Sequence, residues 1–290
     1  MDYTNISGIQ KMLFDSHVHF DGLGELPAVH DSIHRAMKAG VKKMLAVGGG
    51  NKANTFAVEI ASHYPENIFP SAGFDREEAV QLEEVSPDRL KQCILEIIEN
   101  SQRKAVRVVA IGETGLDFYY SPDTARAQMR LFEVQLEIAK DLNLPVIIHC
   151  RDAEKEVLQI LRKHASSGKS DKLRGVLHCC TGTVDFVREV IEIGYHIGLS
   201  GIITFKNADN LRQLALEIPE DKILIETDSP YLAPEPRRGR PNEPSFLVHV
   251  AQKLAELRGE SLERIAEITS CNAEKLFLKN STNIDLQNSF

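Results

Sequence analysis

The sequence has few cysteines, no long apolar run and no excess of positive charge. Its 290 residues include five cysteines, an odd number without regular spacing, so we expect no framework of disulfide bonds. No positively charged segment followed by an apolar one opens the chain, and no apolar run reaches the length needed to cross a membrane. We therefore expect a cytoplasmic protein without a membrane partner.

The formal net charge of −8 argues against a broad basic surface that coats nucleic acid. It does not exclude nucleic acid from a local site, because bound metal cations would invert the potential there. One short basic run, RRGR at 237–240, fits either a solvated loop or a local contact with an anion.

Linkers, low-complexity segments and internal repeats are also missing, so we expect one domain over residues 1–290, with a core at 12–279 and a polar C-terminal tail. Short β-branched runs alternate with longer amphipathic stretches, which is typical of βαβ units and a parallel sheet. Eight such units predict an α/β protein with the (β/α)8 TIM barrel fold. An open doubly wound sheet is the alternative, but no GxGxxG phosphate-binding motif follows the first strand.

The elements are predicted as follows. Strands are expected within 11–19, 41–49, 67–74, 105–113, 144–150, 174–180, 195–200 and 222–228. Helices are expected at 27–39, 51–64, 88–101, 122–141, 152–167, 183–193, 208–217 and 245–258, followed by a helical pair at 261–270 and 272–279.

Metal-binding residue types recur where the predicted strands end. In a barrel of this kind the reactive face lies at the C-terminal ends of the strands. Alternate residues of a strand point to the same face, so the two histidines of the FDSHVHFDG segment would aim together. Six candidate ligands fall at the ends of five strands, which predicts a metal site. They are His17 and His19 (first strand), Glu113 (fourth), His149 (fifth), His178 (sixth) and Asp228 (eighth).

Four histidines and two carboxylates are too many for one tetrahedral ion that keeps an open position, but they suit two divalent ions. We assign His17, His19 and Asp228 to one ion, and His149 and His178 to the other. Glu113 would bridge the ions, since a carboxylate has two oxygens; a carboxylated lysine in that role is rejected because none is present there. Histidine with carboxylate suits zinc or manganese.

This arrangement predicts hydrolysis by direct attack of a metal-activated water. Asp228 would orient that water and accept its proton, so Asp228 and Glu113 are the candidate catalytic residues. Aspartates that flank the histidines, Asp15 and Asp21, could orient the imidazole rings.

Two competing sites are weaker. His30 and His34 are spaced for one helix face, but without an HExxH pattern a solvated face is the simpler interpretation. Cys179 and Cys180 follow His178, and packing beside the site is favoured over a thiol nucleophile.

The sequence resembles a known family over residues 14–278. The motifs DSHVHFD, GETGLDFYY, HCRDA, HCCTG, GIITFKNA, ETDSPYLAPEPRRGRPNEP and CNAEKLF are similar to those of TatD-type metal-dependent hydrolases in the amidohydrolase superfamily. The resemblance implies a barrel with a binuclear metal centre and deoxyribonuclease activity, including 3′–5′ exonuclease activity on single-stranded DNA ends. It also implies magnesium as a further metal candidate and substrate-phosphate contacts from Arg151, Arg238 and Lys206. The oligomeric state is not fixed by these motifs, and a monomer is compatible with them.

Two motifs depart from the family, and HCCTG, with Cys180 and Thr181 where Phe and Ser are common, is the milder departure. Members commonly carry Gly-x-His-Pro after the third strand, whereas this chain reads Gly73-Phe74-Asp75-Arg76, with neither the histidine nor the proline. A histidine that could contact phosphate is therefore missing, which keeps a second hypothesis open: a hydrolase of a small ester, amide or lactone on the same centre. The full ligand set argues against a third hypothesis, a binding protein without catalysis.

Overall fold

A computed structural model describes residues 12–165 and 173–279 of the chain. Within these ranges eight parallel strands follow one another in chain order around a single sheet. The first strand also meets the segment after the last one, because the Asp228 amide donates to the carbonyl of His17 (3.0 Å) and the His19 amide donates to the carbonyl of Ser229 (2.9 Å). This closure confirms the barrel and rules out the open sheet. The strands are β1 Leu13–Val18, β2 Val41–Ala46, β3 Ile68–Ala72, β4 Ala110–Asp117, β5 Val146–Arg151, β6 Gly175–Leu177, β7 His196–Leu199 and β8 Ile223–Ile225.

A helix follows each strand, as the alternating pattern predicts. Ser86 begins one of them by accepting a hydrogen bond from the Arg89 amide, and Gly40 ends another in a left-handed conformation (φ 99°). No helix within the described ranges is long and apolar enough to cross a membrane. The helices are α1 Leu26–Ala39, α2 Asn51–His63, α3 Pro87–Arg103, α4 Ala125–Asp141, α5 Glu154–Ala165, α6 Val184–Ile193, α7 Asp209–Glu217, α8 Leu247–Arg258 and α9 Leu262–Phe277.

Several boundary predictions are wrong; β8, for example, ends at Ile225 and not at Asp228. β4 does not end at Glu113 but continues to Asp117, because the glycines of GETGLD let it pair closely with β5; a Cβ on Gly115 would lie 2.1 Å from the carbonyl oxygen of His149. The predicted pair 261–270 and 272–279 is one helix, α9. Neither glycine nor proline interrupts it, and Asn272 uses its side chain to bind the carbonyls of Glu220 and Ile223. The predicted end of α5 at 167 and the C-terminal tail lie outside the described residues.

The interior of the barrel is filled by a layer of buried apolar side chains. Helix α9 closes the end of this layer through Leu276 and Phe277, which pack against strand residues. Each such large side chain contributes roughly 1.5–3 kcal/mol by leaving water. The strand residues of the layer are Phe14, Leu45, Ala110, Ile147, Val176 and Leu224.

The same layer fixes which residues face the opposite end of the barrel. Two residues after Ile147 comes His149, and two residues after Val176 comes His178, so the two-residue period of a strand brings these histidines onto the interior face. β1 breaks the period: Phe14 and His17 are three apart, and the pairing of β1 with β2 shifts register between Asp15 and Val18. That irregularity turns His17 toward the interior above the apolar layer.

Candidate metal centre

The six side chains predicted from the strand ends meet at the C-terminal mouth of the barrel. In the part that we call the first half, the Nε2 atoms of His17 and His19 lie 3.1 Å apart. Oε2 of Glu113 lies 3.3 Å from His17 Nε2 and 3.5 Å from His19 Nε2. Oδ1 of Asp228 lies 3.8 Å and 3.5 Å from the same two nitrogens. Three elements thus direct one group of donor atoms at a common point.

The second half is formed on the other oxygen of the same glutamate. Oε1 of Glu113 lies 3.2 Å from His149 Nδ1 and 3.2 Å from His178 Nε2. Those two nitrogens are 3.1 Å apart. One carboxylate therefore joins both halves, each oxygen facing a different pair of histidines.

This donor set fits divalent ions. Two atoms that each lie about 2.0–2.1 Å from one ion, at angles of about 90° to 110°, are about 2.9–3.4 Å from each other. The histidine–histidine and histidine–Glu113 separations in both halves lie in or next to that range. Imidazole nitrogen and carboxylate oxygen are also the ligand types that zinc and related ions accept.

Two further carboxylates support the second half and were missed from the sequence. Asp117 Oδ2 lies 3.1 Å from His149 Nε2, and Glu226 Oε1 lies 3.4 Å from His178 Nδ1. A carboxylate on the outer nitrogen of a ligand histidine fixes the ring and raises its basicity. A usable signal was present, since Asp117 follows Glu113 by four residues and Glu226 precedes Asp228 by two, and both spacings keep one face of a strand.

The cluster is strongly coupled electrostatically. Burial disfavours the charged form of Glu113, but the charge of His178 and the hydrogen bonds from the surrounding imidazoles outweigh it and hold the pKa of Glu113 well below its usual range. Burial likewise opposes protonation of His178, yet Glu113 and Glu226 raise its pKa well above the ordinary value. The pKa of Asp117 falls to about 2, since the bond from His149 and the Tyr120 amide overcome its burial. These carboxylates are therefore ionised, as metal ligands and their partners must be.

Asp15 does not orient an imidazole ring, contrary to the prediction. Its Oδ1 accepts from the amide of Thr227 (2.9 Å) and from the amide of His17 (3.3 Å), and its Oδ2 accepts from the Thr227 hydroxyl (2.6 Å). Asp15 therefore acts on the backbone of β1 and of the segment after β8, near the ligands but not on their rings.

Arg76 is a third residue that the sequence did not single out. It begins a short 3-10 turn, Arg76–Glu78, in which Asp75 accepts a hydrogen bond from the Glu77 amide (2.7 Å). Arg76 Nη1 lies 3.3 Å from Glu113 Oε1, and Nε lies 3.4 Å from Asp117 Oδ2. A guanidinium thus lies against the second half of the cluster.

The predicted substrate residues lie on segments that leave the mouth of the barrel. Arg151 ends β5, and its guanidinium lies 4.3 Å from the ring centre of Tyr119 and 4.8 Å from that of Tyr120. Arg238, between β8 and α8, lies 3.9 Å from the ring centre of Phe205. The neighbouring residue Lys206 is exposed and follows the turn after β7.

The competing sites have other partners. His30 Nδ1 lies 2.8 Å from the Tyr64 hydroxyl. Cys179 Sγ lies 3.2 Å from the Ser200 hydroxyl, and burial raises the pKa of this thiol well above its usual value. Burial also raises the pKa of Cys180 to about 12. Both thiols therefore stay protonated, which makes them poor nucleophiles.

Known proteins resemble this chain over nearly its whole length. The sequence model of the TatD related DNase family matches residues 14–278. The uncharacterized metal-dependent hydrolase YabD of Bacillus subtilis is 36% identical over 266 residues, which cover 92% of this chain and 99% of YabD. The 3′–5′ ssDNA/RNA exonuclease TatD of Citrobacter rodentium is 39% identical over 257 residues, covering 86% of this chain and 91% of that protein. The crystal structure of YjjV, a TatD homologue from Escherichia coli, superimposes with a TM-score of 0.78 at 29% identity and covers 93% of this chain and 99% of its own. As its motifs predict, the chain belongs to the TatD-related DNase family of metal-dependent hydrolases.

Proposed function

We propose that this protein is a metal-dependent nuclease that removes nucleotides from the 3′ ends of single-stranded DNA. The observation that carries the proposal is the geometry of Glu113, whose two oxygens each face a separate pair of histidines at 3.2–3.5 Å. Such an arrangement suits two metals that act together on a phosphodiester. The Citrobacter rodentium relative is a 3′–5′ exonuclease of ssDNA and RNA, so RNA is a second candidate substrate.

Two divalent ions, zinc or manganese with magnesium as a further candidate, would be held by the six ligands. The first half would supply His17, His19 and Asp228, the second half would supply His149 and His178, and Glu113 would bridge the halves. When bound, the ions would supply an acidified water as nucleophile and polarise a phosphoryl oxygen.

Asp228 is the proposed proton acceptor. It is nearly buried at the mouth, and its Oδ1 faces the first half of the cluster at 3.5 Å from His19. A carboxylate there can accept a hydrogen bond from the attacking water and then its proton. The surrounding histidines hold Glu113 ionised, so that each of its oxygens can serve one half of the cluster.

Arg151, Arg238 and Lys206 are the proposed contacts to substrate phosphates, since a planar guanidinium pairs with phosphate through two hydrogen bonds. Beside Arg151 lie two tyrosines that are unusually open to solvent, Tyr119 (56% exposed) and Tyr120 (67%). Exposed aromatic rings next to arginine are a stacking platform for the bases of a single strand. A duplex keeps its bases stacked on one another, so the platform favours single-stranded ends.

A cytoplasmic location is part of the proposal. All five cysteines lie at described positions and all are free thiols, as expected in a reducing compartment. A monomer is the simplest state in which the six ligands, all from one chain, complete the site.

The test uses a single-stranded oligonucleotide carrying a 5′ label, with magnesium, manganese or zinc in separate reactions. We expect a ladder of products that shortens from the 3′ end, and a blunt duplex of the same sequence should be cleaved more slowly. Chelation should stop the reaction, and the Glu113→Ala variant should be inactive. Intact oligonucleotide with every metal, under conditions in which a known family member is active, would refute the proposal.

A comparison of two substrates separates this function from the alternative, hydrolysis of a small ester. A hydrolase of small neutral esters would turn over p-nitrophenyl acetate efficiently and leave the oligonucleotide intact. For the nuclease we expect the opposite order. Replacing Tyr119 and Tyr120 by alanine should then raise the KM for the oligonucleotide about 5-fold or more while leaving a small diester, bis(p-nitrophenyl) phosphate, unaffected.

A further inference from the structure

The third strand ends in a segment that carries no histidine but turns an arginine into the mouth of the barrel. Phe74 is buried in the apolar core, and its amide donates to the side chain of Gln135 (2.8 Å). Asp75 uses its side chain to begin the turn. With Phe74 and Asp75 so engaged, the next residue, Arg76, is directed at Glu113.

The side chain of Arg76 is held in place by partial burial and by ion pairs. Its side chain is 19% exposed, and its ion pairs reach two buried carboxylates, Glu113 and Asp117. Asp117 in turn lies 3.1 Å from His149, so the same oxygen, Oδ2, joins the arginine to a metal-ligand candidate. An exposed surface ion pair would show neither the burial nor the shared partner.

The charge balance indicates what Arg76 does once cations occupy the cluster. Glu113 Oε1 is the oxygen that also faces His149 and His178. When a divalent cation neutralises that oxygen, the contact of Nη1 with Glu113 loses most of its value. The bond from Nε to Asp117 still anchors the arginine. Nη2 lies 3.8 Å from the exposed carboxylate of Glu77, a weak surface contact, so the two terminal nitrogens would then present the fork that matches two oxygens of a phosphate.

We propose that Arg76 binds a phosphate oxygen of the substrate and makes the centre select phosphate esters over neutral esters. It supplies, one position further along the chain, the positive group that the sequence lacks at Asp75, where the family motif has histidine. This inference rests on the proposed function, phosphodiester hydrolysis, and names the residue that confers its specificity.

The first experiment measures binding of inorganic phosphate to the metal-loaded protein by calorimetry, with metal content determined in the same samples. For Arg76→Ala we expect a dissociation constant raised about 10-fold or more, the loss of one charge-assisted interaction, with unchanged metal content. Arg76→Lys should recover part of the affinity. The matched control is Arg89→Ala on α3, which removes an exposed arginine paired with Glu96 and should bind phosphate like the wild type.

The second experiment compares kcat/KM for bis(p-nitrophenyl) phosphate and for p-nitrophenyl acetate. Arg76→Ala should lose at least about 10-fold on the phosphate diester, mainly in KM, and change little on the neutral ester. If alanine prevents folding, as judged by circular dichroism, Arg76→Gln keeps the side-chain volume without the charge and takes its place.

Three results would overturn the assignment: wild-type affinity for phosphate in the variants, an equal loss on both esters, or loss of metal with no recovery in Arg76→Lys. Failure of the proposed nuclease function would give a different set of results. In that case the wild type would leave oligonucleotides intact, while the difference in phosphate affinity between wild type and Arg76→Ala would still report on this residue.

Discussion

The two halves of the candidate metal cluster contain the same kinds of side chain but are supported in different ways. His17 and His19 come from one irregular strand, and within the described residues nothing accepts a hydrogen bond from His17 Nδ1. His149 lies in β5 and His178 directly follows β6, and each faces a carboxylate through its outer nitrogen, although in the described part of the chain His178 Nδ1, 3.4 Å from Glu226, makes no full hydrogen bond either. The first half therefore depends on backbone geometry, whereas the second depends on electrostatic partners.

This difference predicts different sensitivities. A carboxylate behind a ligand histidine strengthens the ligand and fixes its ring, and its removal weakens metal binding without moving the backbone. The first half offers no such side chain to remove. We therefore expect the second half to be tunable by single polar substitutions and the first half to respond mainly to changes that disturb the strand.

Glu113→Ala removes the residue that both halves share and should have the largest effect. Each half loses a ligand oxygen, so we expect the metal content of both halves to fall. We also expect kcat/KM for an oligonucleotide to drop by more than about 100-fold, which exceeds the loss expected when a carboxylate behind a ligand histidine is removed. The measurement is metal content by elemental analysis together with the cleavage rate. Glu96→Ala, an exposed glutamate on α3, is the control. A variant that kept one full equivalent of metal would show that the halves bind independently.

Asp117→Asn changes only the second half. Asparagine keeps an oxygen for the amides of Tyr119 and Tyr120, which Asp117 Oδ1 accepts at 3.1 Å and 2.8 Å, but loses the negative charge beside His149. We expect the affinity for one metal equivalent to fall about 10- to 100-fold while the other equivalent stays unchanged. Competition with a fluorescent chelator resolves the two equivalents. Equal weakening of both would contradict the division into halves.

Gly198→Ala tests the packing behind Glu226. A Cβ at Gly198 would lie 2.5 Å from Glu226 Oε2, so the carboxylate must shift away from its place behind His178. Because Glu226 keeps its charge, the metal affinity of the second half should fall by at most about 10-fold, less than in Asp117→Asn. The same chelator competition measures this metal affinity. A lower metal affinity of the first half as well would indicate that the substitution disturbs the whole C-terminal end of the barrel.

The sequence was sufficient for the site where the strand period is regular. His149 and His178 follow buried apolar residues by two positions, and Glu226 follows Leu224 by two, so alternation indicates the interior face for these three side chains. Asp228 lies three residues beyond the end of β8 with a left-handed backbone (φ 58°), so alternation alone does not place it. The motif resemblance supplied the family, and the family match and structural neighbours confirm it.

The rest depended on tertiary contacts that periodicity does not encode. β4 continues past its predicted end because Gly112 and Gly115 allow close pairing with β5. Arg76 could not be placed because the direction of its loop is set by the burial of Phe74 and by the hydrogen bond of Asp75. A strand irregularity, not alternation, turns His17 inward.

Asp15→Asn is the matching test of the first half, with the smallest expected effect on metal binding. Asp15 holds the amide and hydroxyl of Thr227 and the amide of His17, so it fixes backbone and touches no ligand ring. Asparagine keeps one oxygen acceptor and loses the other, which should lower the free energy of unfolding by about 1–3 kcal/mol. Metal affinity should change less than about 2-fold, far below the loss in Asp117→Asn. Denaturant unfolding and chelator competition on the same two variants decide the matter. If Asp15→Asn weakened metal binding as much as Asp117→Asn, backbone support and ring support would be equivalent, and the contrast between the two halves would not hold.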